Sequence, residues 1–426
     1  MSAIFTIGLG LYYRLFLRRH ARAGSTLVAL LSWLYLALGL SAVFLELTEG
    51  ITPVYEPNHG AILTLLLAII ISISGFARFR WQQVQAGPHI FKSAWLIENL
   101  LIVTQFAAMV FFLPFAIESM TGDVNMNRLL LDEKMDRLNA YGLLNTVSGA
   151  ASQLFSSSLV LAFYRLAARP GQGRNVRRAG LLVLASLSYV IYILAYVGRD
   201  GTVYWLMTAG MVFLVFRRQL SPVDRVKISI VGTLCAVAVL VPFVMITVSR
   251  FFDADQGRAW SIFRYFGMQL IAFSDYSSID RPVTLGVANF PMFAGPLCNV
   301  LDLNCSVWSD IKMDVFGQYL DQGVEPWLFG TFVSDLAADF GNWGAVLAVI
   351  LYGILCNHVI TRAGRLHGYS LARLLLILFL VLLPYWGVFY FRFAISNGYI
   401  VVNLFFIGAV SLFQRYRAAR TGHSAN

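Results

Sequence analysis

Long apolar stretches separated by short polar connections make up most of this chain. Such stretches predict membrane-spanning helices, because about 20 residues at 1.5 Å each cross the hydrocarbon core of a bilayer. Eleven spans fit best, at residues 2–17, 25–47, 59–79, 94–117, 143–166, 179–198, 201–216, 228–248, 341–361, 372–391 and 395–413. Helices satisfy their own backbone hydrogen bonds in lipid, so the pattern predicts an all-α polytopic membrane protein.

One connection is far longer than the others and divides the chain into three parts. Eight spans with short loops occupy residues 1–248, the long loop occupies 249–340, and three spans with a basic tail occupy 341–426. Within the loop, the apolar and aromatic segment 259–273 is too short for a comfortable span and contains Arg264. We expect this segment to form an interfacial or re-entrant helix.

The distribution of charge predicts the topology. Only 13% of the residues are charged, against about a quarter in soluble domains. One alternate set of connections holds 22 of the 32 Lys and Arg residues and a single carboxylate, Asp224. The other set holds 10 Lys and Arg with 20 of the 22 Asp and Glu, and Glu98 lies inside a span. The positive-inside rule therefore places the basic side in the cytoplasm, the N-terminus outside and the C-terminus inside.

Four arginines cluster in the first part of the long loop, on the predicted outer side. They are Arg250, Arg258, Arg264 and Arg281. Arginine binds phosphate through two parallel hydrogen bonds and stays charged, so the cluster indicates an anion site. Tyr265 and other aromatic residues beside these arginines also suit stacking on sugar rings. The alternative is a solvated loop in which the arginines pair with nearby aspartates.

Two further arginines are candidates for the same site. Arg199 lies in a Gly-Arg-Asp-Gly turn between two predicted spans, which would hold its guanidinium at the outer membrane surface. An ordinary loop arginine, paired with Asp200 or a lipid phosphate, is the alternative. Arg392 lies where the tenth span reaches the outer surface, and it either joins the anion site or simply extends to the interface.

Three side chains are candidates for a general base. Asp335 and Asp339 are spaced i, i+4 at the outer start of the ninth span, so they share one face if that stretch is helical. Plain stabilisation of a helix N-terminus is the alternative role for these carboxylates. His59 begins the third span and is the one histidine expected outside. The alternative is that it is an ordinary interfacial histidine without a catalytic role. Glu98 is expected to pair with Lys92 or with an arginine at the cytoplasmic interface.

Two cysteines and the absence of known catalytic motifs limit the chemistry that the sequence predicts. Cys298 and Cys305 lie close enough in sequence for a local disulfide in an oxidising compartment, and the pairing stays open. The sequence contains no P-loop, GxSxG, HExxH or metal-ligand pattern, so no cofactor or metal is implied. ATP-driven transport is disfavoured for the same reason.

Three short motifs in this order carry a family resemblance. They are Gly198-Arg199 between mid-chain spans, Arg264-Tyr265-Phe266 early in the loop, and Asp339-Phe340-Gly341 with Gly344 opening the next span. With a long outer loop among about a dozen spans, this layout resembles the O-antigen and oligosaccharide repeat-unit polymerase (Wzy-like) superfamily. Asp200 departs from the more Gly- and Ser-rich turn that is common there.

The resemblance implies a glycosyltransferase in the bacterial inner membrane with its site facing the periplasm. Its substrates would be polyprenyl-pyrophosphate-linked oligosaccharides, and it would transfer the growing glycan to the next lipid-linked unit. Arginines 199, 250, 258, 264, 281 and 392 would then bind pyrophosphate, and Asp339, Asp335 or His59 would orient or deprotonate the acceptor. The alternatives are an O-antigen ligase-type transferase and a non-catalytic flippase or transporter. Whether a chain-length regulator also binds stays open.

Overall fold

The protein is described from a computed structural model. It describes residues 1–48, 54–56, 58–84, 91–121, 136–168, 173–196, 198, 200–230, 232–234, 237, 258–279, 282–300, 308–324, 330–364, 369–392 and 397–420. Within these ranges the backbone alone is described at 91–94, 121, 173–174, 258–262, 265, 297–300, 308–313, 363–364 and 417–420. Throughout the described ranges, all regular secondary structure is helical.

The helices follow the apolar stretches. In chain order they are α1 Ser2–Tyr12, a π-helical turn Tyr13–Leu17, α2 Arg18–Arg22, α3 Thr26–Leu47, α4 His59–Ser74, α5 Phe91–Thr121, α6 Leu143–Ser152, α7 Phe155–Ala168, α8 Gly173–Ser186, α9 Ser188–Ala195, α10 Asp200–Phe216, α11 Arg258–Ser278, α12 Pro291–Val300, α13 Trp308–Asp321, α14 Phe332–Gly364, α15 Leu371–Trp386 and α16 Asn397–Arg420. Residues 222–230 are also helical.

Six stretches of the described chain are long and apolar enough to cross a membrane. They are Thr26–Leu47, Trp95–Met120, Leu143–Ala168, Asn175–Ala195, Phe332–Arg362 and Asn397–Tyr416. Three more predicted spans are helices of 16 or 17 residues, α4, α10 and α15. The predicted eighth span, 228–248, lies largely outside the described residues. The prediction of a helical membrane protein is therefore supported, while the number of eleven spans stays a prediction.

The chain divides into two compact units, each built from separate parts of the sequence. The first comprises Met1–Trp81, Ala254–Arg365 and Leu380–Ile400. The second comprises Gln82–Asp253, Leu366–Phe379 and Val401–Asn426.

In the first unit, helices approach closely at glycines. A Cβ at Gly267 of α11 would lie 2.6 Å from the main-chain nitrogen of Ala42 in α3. A Cβ at Gly75, just after α4, would lie 3.2 Å from the Cβ of Cys356 in α14. Small residues at such contacts let helix backbones pack closely where water drives no association.

A proline within α15 is accommodated by two tyrosines. Pro384 has no N–H to donate to the carbonyl of Leu380, four residues earlier. The Tyr352 hydroxyl donates to that carbonyl instead, at 2.6 Å. The Tyr35 hydroxyl donates to the carbonyl of Pro384 itself, at 2.7 Å. The helix therefore tolerates the proline without an unsatisfied buried acceptor.

Helix α14 is broken near its start. Gly341 has φ 71° and ψ 170°, so the helix consists of a short first part and a long second part. Only glycine adopts this backbone region readily. The first main-chain N–H of α14, from Phe332, donates to the carbonyl of Gly387 at 2.8 Å. This bond fixes the start of α14 beside the end of α15.

The apolar segment predicted at 259–273 belongs to a longer helix. Helix α11 covers Arg258–Ser278, and residues 267–276 are buried. The ring of Phe263 lies 4.5 Å from that of Phe44 in α3. Because α11 packs against α3 along this length, the segment is an integral part of the first unit.

The second unit buries an ion-pair cluster that the sequence anticipated in part. Arg165 of α7 donates to both carboxylate oxygens of Glu98 in α5, at 2.7 and 2.5 Å. The expectation that Glu98 pairs with an arginine is thus confirmed. The spacing of Leu131, Met135 and Leu138 in the sequence also predicts a surface amphipathic helix. Of these three residues only Leu138 is described, and it is buried with Phe112 and Ala116.

Candidate functional site

The candidate site lies where α14 begins in the first unit. Ile71 of α4 contacts Gly353 of α14, and Gly75 contacts Cys356, so these two helices run in the same direction. Gly341 precedes Gly353 by 12 residues, as His59 precedes Ile71. Equal helical rise therefore puts the break in α14 near the height at which α4 begins.

Asp339 is fully buried in the first part of α14. Its Oδ1 accepts hydrogen bonds from the Thr284 hydroxyl and from the Ala288 N–H, the latter at 3.2 Å. Its carbonyl accepts from the Leu285 N–H at 2.8 Å. The carboxylate and main chain of Asp339 thus hold the 284–288 turn against α14.

The second oxygen of this carboxylate, Oδ2, is buried and has no well-formed hydrogen bond within the part of the chain that the structure describes. Asn289 lies beside the carboxyl group. A buried acceptor without a partner costs about 1–3 kcal/mol. A folded chain retains such a cost most readily at a site where the free oxygen has a use.

The turn that covers Asp339 has an unusual backbone. Leu285 has φ 50°, the one positive φ among described residues other than glycine, and Gly286 has φ 91°. A left-handed conformation costs roughly 1–2 kcal/mol for a residue with a Cβ. The ring of Phe340 packs against Gly286: a Cβ added at Gly286 would lie 3.5 Å from the ring. The turn is therefore held by its contacts with α14 rather than by its own preference.

Asp335 lies one turn before Asp339, as their spacing predicted. Its Oδ2 accepts a hydrogen bond from the main-chain N–H of Phe391 at 2.6 Å. The amide of Asn289 donates to its carbonyl at 2.7 Å, and the amide of Asn397 donates to the carbonyl of Asn289 at 3.0 Å. Asp335 therefore links the start of α14 to the segment that follows α15.

Two of the predicted arginines are described with their side chains, Arg264 and Arg392, and both are half-buried. Arg392 follows Phe391 and donates to the Tyr390 hydroxyl at 3.0 Å. The segments that carry the two arginines contact each other, because the rings of Phe266 and Phe389 lie 5.6 Å apart.

The other predicted site residues are not seen to join this arrangement within the described part of the chain. His59 is exposed at the first position of α4, where the preceding Asn58 caps the helix by accepting from the Ala61 N–H at 3.0 Å. Arg199, Arg250, Arg281 and Cys305 lie outside the described residues, as do the side chains of Arg258, Tyr265 and Cys298. Their predicted roles stay predictions.

A cleft of about 100 Å³ opens beside the break in α14. It is lined by residues from the end of α11, the following segment and α14, including Tyr276, Ser277, Val283 and Asn342. Asp335 and Asp339 are not among the lining residues, because they lie on the neighbouring face of α14. The cleft therefore adjoins the first part of α14 without being lined by either carboxylate.

Several residues of this region were not identified as site residues from the sequence. Thr284, Asn289 and Asn397 contribute side-chain hydrogen bonds, yet none stands in a recognisable motif. Asp275, an aspartate of the long loop, stands in no motif that predicts a role for it. Its side chain accepts from the main-chain N–H groups of Val54 and Tyr55, both at 3.3 Å.

No group of three or more His, Cys, Asp and Glu side chains in the described ranges could hold a metal ion. The comparisons with family models, curated proteins and solved structures find no match to this chain.

Proposed function

We propose that this chain is an integral-membrane glycosyltransferase that polymerises polyprenyl-pyrophosphate-linked oligosaccharide units. It would act on the side of the membrane where α4 and α14 begin, which the charge distribution predicts to be the periplasmic face of a bacterial inner membrane. The observation that carries the proposal is the contact between the two segments bearing Arg264 and Arg392, through Phe266 and Phe389. These arginines belong to the side that the charge distribution predicts to be outer, where acidic residues outnumber basic ones.

The proposed reaction is a displacement at the anomeric carbon of the lipid-linked donor. The acceptor hydroxyl oxygen forms the new bond to that carbon, and the bond from carbon to the pyrophosphate oxygen breaks. The pyrophosphate leaves with the electron pair, and the hydroxyl proton passes to a base. Arginines stabilise the charge that develops on the leaving group.

The described residues take distinct parts in this proposal. Arg264 and Arg392 bind pyrophosphate, together with Arg199, Arg250, Arg258 and Arg281 on sequence grounds. Asp335 is a positioning residue, because it holds the main chain next to Arg392. His59 is the exposed candidate for the base. Asp339 could serve only when the 284–288 turn moves away, since its carboxylate is fully buried.

A second candidate function is transport of a lipid-linked sugar without chemistry. The observation that favours it is the break in α14 two residues after a buried carboxylate, because transporters form their sites from discontinuous helices. An O-antigen ligase-type transfer to a different acceptor shares the chemistry proposed above, and the acceptor distinguishes the two.

The experiment is elongation of purified lipid-linked repeat units by the protein in nanodiscs, with products separated by size. We expect a ladder from the wild type and a loss of about 100-fold or more in rate for Arg264→Ala or Arg392→Ala. Arg137→Ala is the matched control, because Arg137 is an exposed arginine paired with Glu118 on the same predicted side. Equal rates in all four proteins would refute the assignment of Arg264 and Arg392.

A further inference from the structure

A second charged cluster lies in the second unit, at one end of three candidate spans. These are Trp95–Met120, Leu143–Ala168 and Asn175–Ala195. Glu98, Arg165 and Arg178 each stand three residues inside a span, which corresponds to about 4.5 Å of helix. We therefore expect all three side chains to lie near the depth where the hydrocarbon core meets the lipid headgroups.

Within this cluster, Arg165 binds both carboxylate oxygens of Glu98. It donates from Nε to Oε1 at 2.7 Å and from Nη2 to Oε2 at 2.5 Å, which is the bidentate arrangement. Its Nη1 donates to Oδ1 of Asn175 at 2.9 Å. Glu98 is 1% exposed and Arg165 is 6% exposed, so this bidentate pair is buried.

Arg178 adds a second positive charge to the same carboxylate. Its Nη1 donates to Oε2 of Glu98 at 3.1 Å, and its guanidinium carbon lies 5.4 Å from the centre of the Trp95 ring. Two guanidinium groups thus face one carboxylate. The neighbouring stretches 85–94 and 169–174 contain no Asp or Glu in the sequence, so neither supplies the missing negative charge.

The Arg178 side chain is partly accessible, next to the exposed ring of Trp95. The Arg178 side chain is 17% exposed, and Trp95 is 45% exposed beside it. The face of the tryptophan ring holds the guanidinium by a cation–π contact, which leaves the other N–H groups of Arg178 to bind an anion. Tryptophan is also the residue that prefers the membrane interface.

We propose that Arg178 and Trp95 form a binding site for the phosphate of an anionic membrane phospholipid. The phosphate neutralises the excess charge of the cluster, and the acyl chains lie along the apolar helix surfaces below it. Basic pockets between membrane helices bind lipid headgroups in this way. The site belongs to the second unit, on the side that the charge distribution predicts to be cytoplasmic, and it shares no residue with the site proposed for catalysis.

The test is native mass spectrometry of the purified protein from nanodiscs that contain phosphatidylglycerol and phosphatidylcholine. We expect phosphatidylglycerol to stay bound to the wild type and its occupancy to fall about tenfold in Arg178→Gln, through loss of charge-assisted hydrogen bonds. Arg177→Gln is the matched control, since Arg177 is the adjacent, exposed arginine of the same helix. We expect less than about a twofold change in that variant.

Trp95→Leu provides a second variant that leaves the Glu98–Arg165 pair untouched, and it should also lose the lipid. Equal loss of phosphatidylglycerol from Arg177→Gln and Arg178→Gln would overturn the proposal. The lipid would then be attracted by the positive charge of the region as a whole and not by a site at Arg178. Retention of the lipid in both Arg178→Gln and Trp95→Leu would overturn it too. Displacement of the lipid by millimolar inorganic phosphate would show that the site takes a free anion, and the lipid assignment would fail.

Discussion

The main-chain N–H of Phe391 donates a hydrogen bond of 2.6 Å to the carboxylate of Asp335. The bond joins the first turn of α14 to the segment after α15, and that segment continues directly into Arg392. A carboxylate that binds a main-chain N–H fixes the path of the backbone, and so the direction from which the next side chain projects. Asp335 is therefore expected to control Arg392 without touching the substrate.

Replacing Asp335 by alanine should weaken both the fold and the proposed activity. The lost hydrogen bond to a charged acceptor corresponds to about 1.5–3 kcal/mol of stability. Asp335→Asn retains an acceptor oxygen and should stay closer to the wild type. Thermal unfolding in detergent measures the first effect, and the Michaelis constant for lipid-linked donor measures the second. Wild-type stability and donor affinity in Asp335→Ala would contradict the role.

Gly341→Ala should destabilise the break in α14. The φ of 71° and ψ of 170° are accessible to glycine almost alone, and a Cβ there costs about 1–3 kcal/mol. Gly210→Ala is the control, because Gly210 lies within α10 and has no atom within 4 Å of a Cβ added there. That change should be neutral or should stabilise by about 0.5–1 kcal/mol. Matching unfolding temperatures for the two variants would argue against a required break.

The stability of the protein should depend on pH through Asp275, which lies outside the candidate spans. Burial raises the pKa of Asp275 above the ordinary 3.8, against the opposing effect of the Tyr55 and Val54 N–H groups. The folded state then holds this proton more tightly than the unfolded chain does. Stability should fall as the pH rises from about the ordinary pKa to the raised one, and stay level above it.

Unfolding followed across that pH range tests the effect. Asp275→Asn should lose this part of the pH dependence. Asp314→Asn, a change at an exposed carboxylate in α13, should keep it. An unchanged pH profile in Asp275→Asn would show that another group is responsible.

Glu98→Gln should be among the most destabilising conservative changes in the second unit. It removes the carboxylate that pairs with Arg165 and Arg178, and loss of one partner from a buried ion pair costs about 3–5 kcal/mol. Glu118→Gln is the control. Its pair with Arg137 has side chains 45% and 53% exposed, so the change should cost less than about 1 kcal/mol. Similar unfolding midpoints for both variants would contradict the importance of the buried cluster.

Hydropathy was sufficient to predict most of the helices. The predicted spans 25–47 and 143–166 match the candidate spans Thr26–Leu47 and Leu143–Ala168 closely, because length and apolarity are properties of each segment alone. The extent of α11 was underestimated. Arg264 and the polar residues after 273 interrupt the apolar pattern, whereas the tight contact of Gly267 with α3 depends on a partner 225 residues away.

The candidate site was predictable only in part. The spacing of Asp335 and Asp339 indicated a shared helical face, and both carboxylates do lie on the first part of α14. Their acceptor bonds were not predictable, because Thr284, Ala288 and Phe391 approach them only in the folded chain. The sequence pattern around a carboxylate does not show whether it acts as a general base or only stabilises the fold. Burial in the structure makes that distinction, because Asp339 is buried whereas the other candidate base, His59, is exposed.

The most direct test of the proposed function uses the purified wild-type protein in vesicles with polyprenyl-pyrophosphate-linked repeat units. Glycan length and free polyprenyl pyrophosphate are measured together in the same samples. The proposal predicts one polyprenyl pyrophosphate released for each repeat unit joined, with a ladder of lengthening glycans still attached to lipid. Movement of the lipid-linked unit across the bilayer with no release of polyprenyl pyrophosphate would contradict it and would favour the transporter instead.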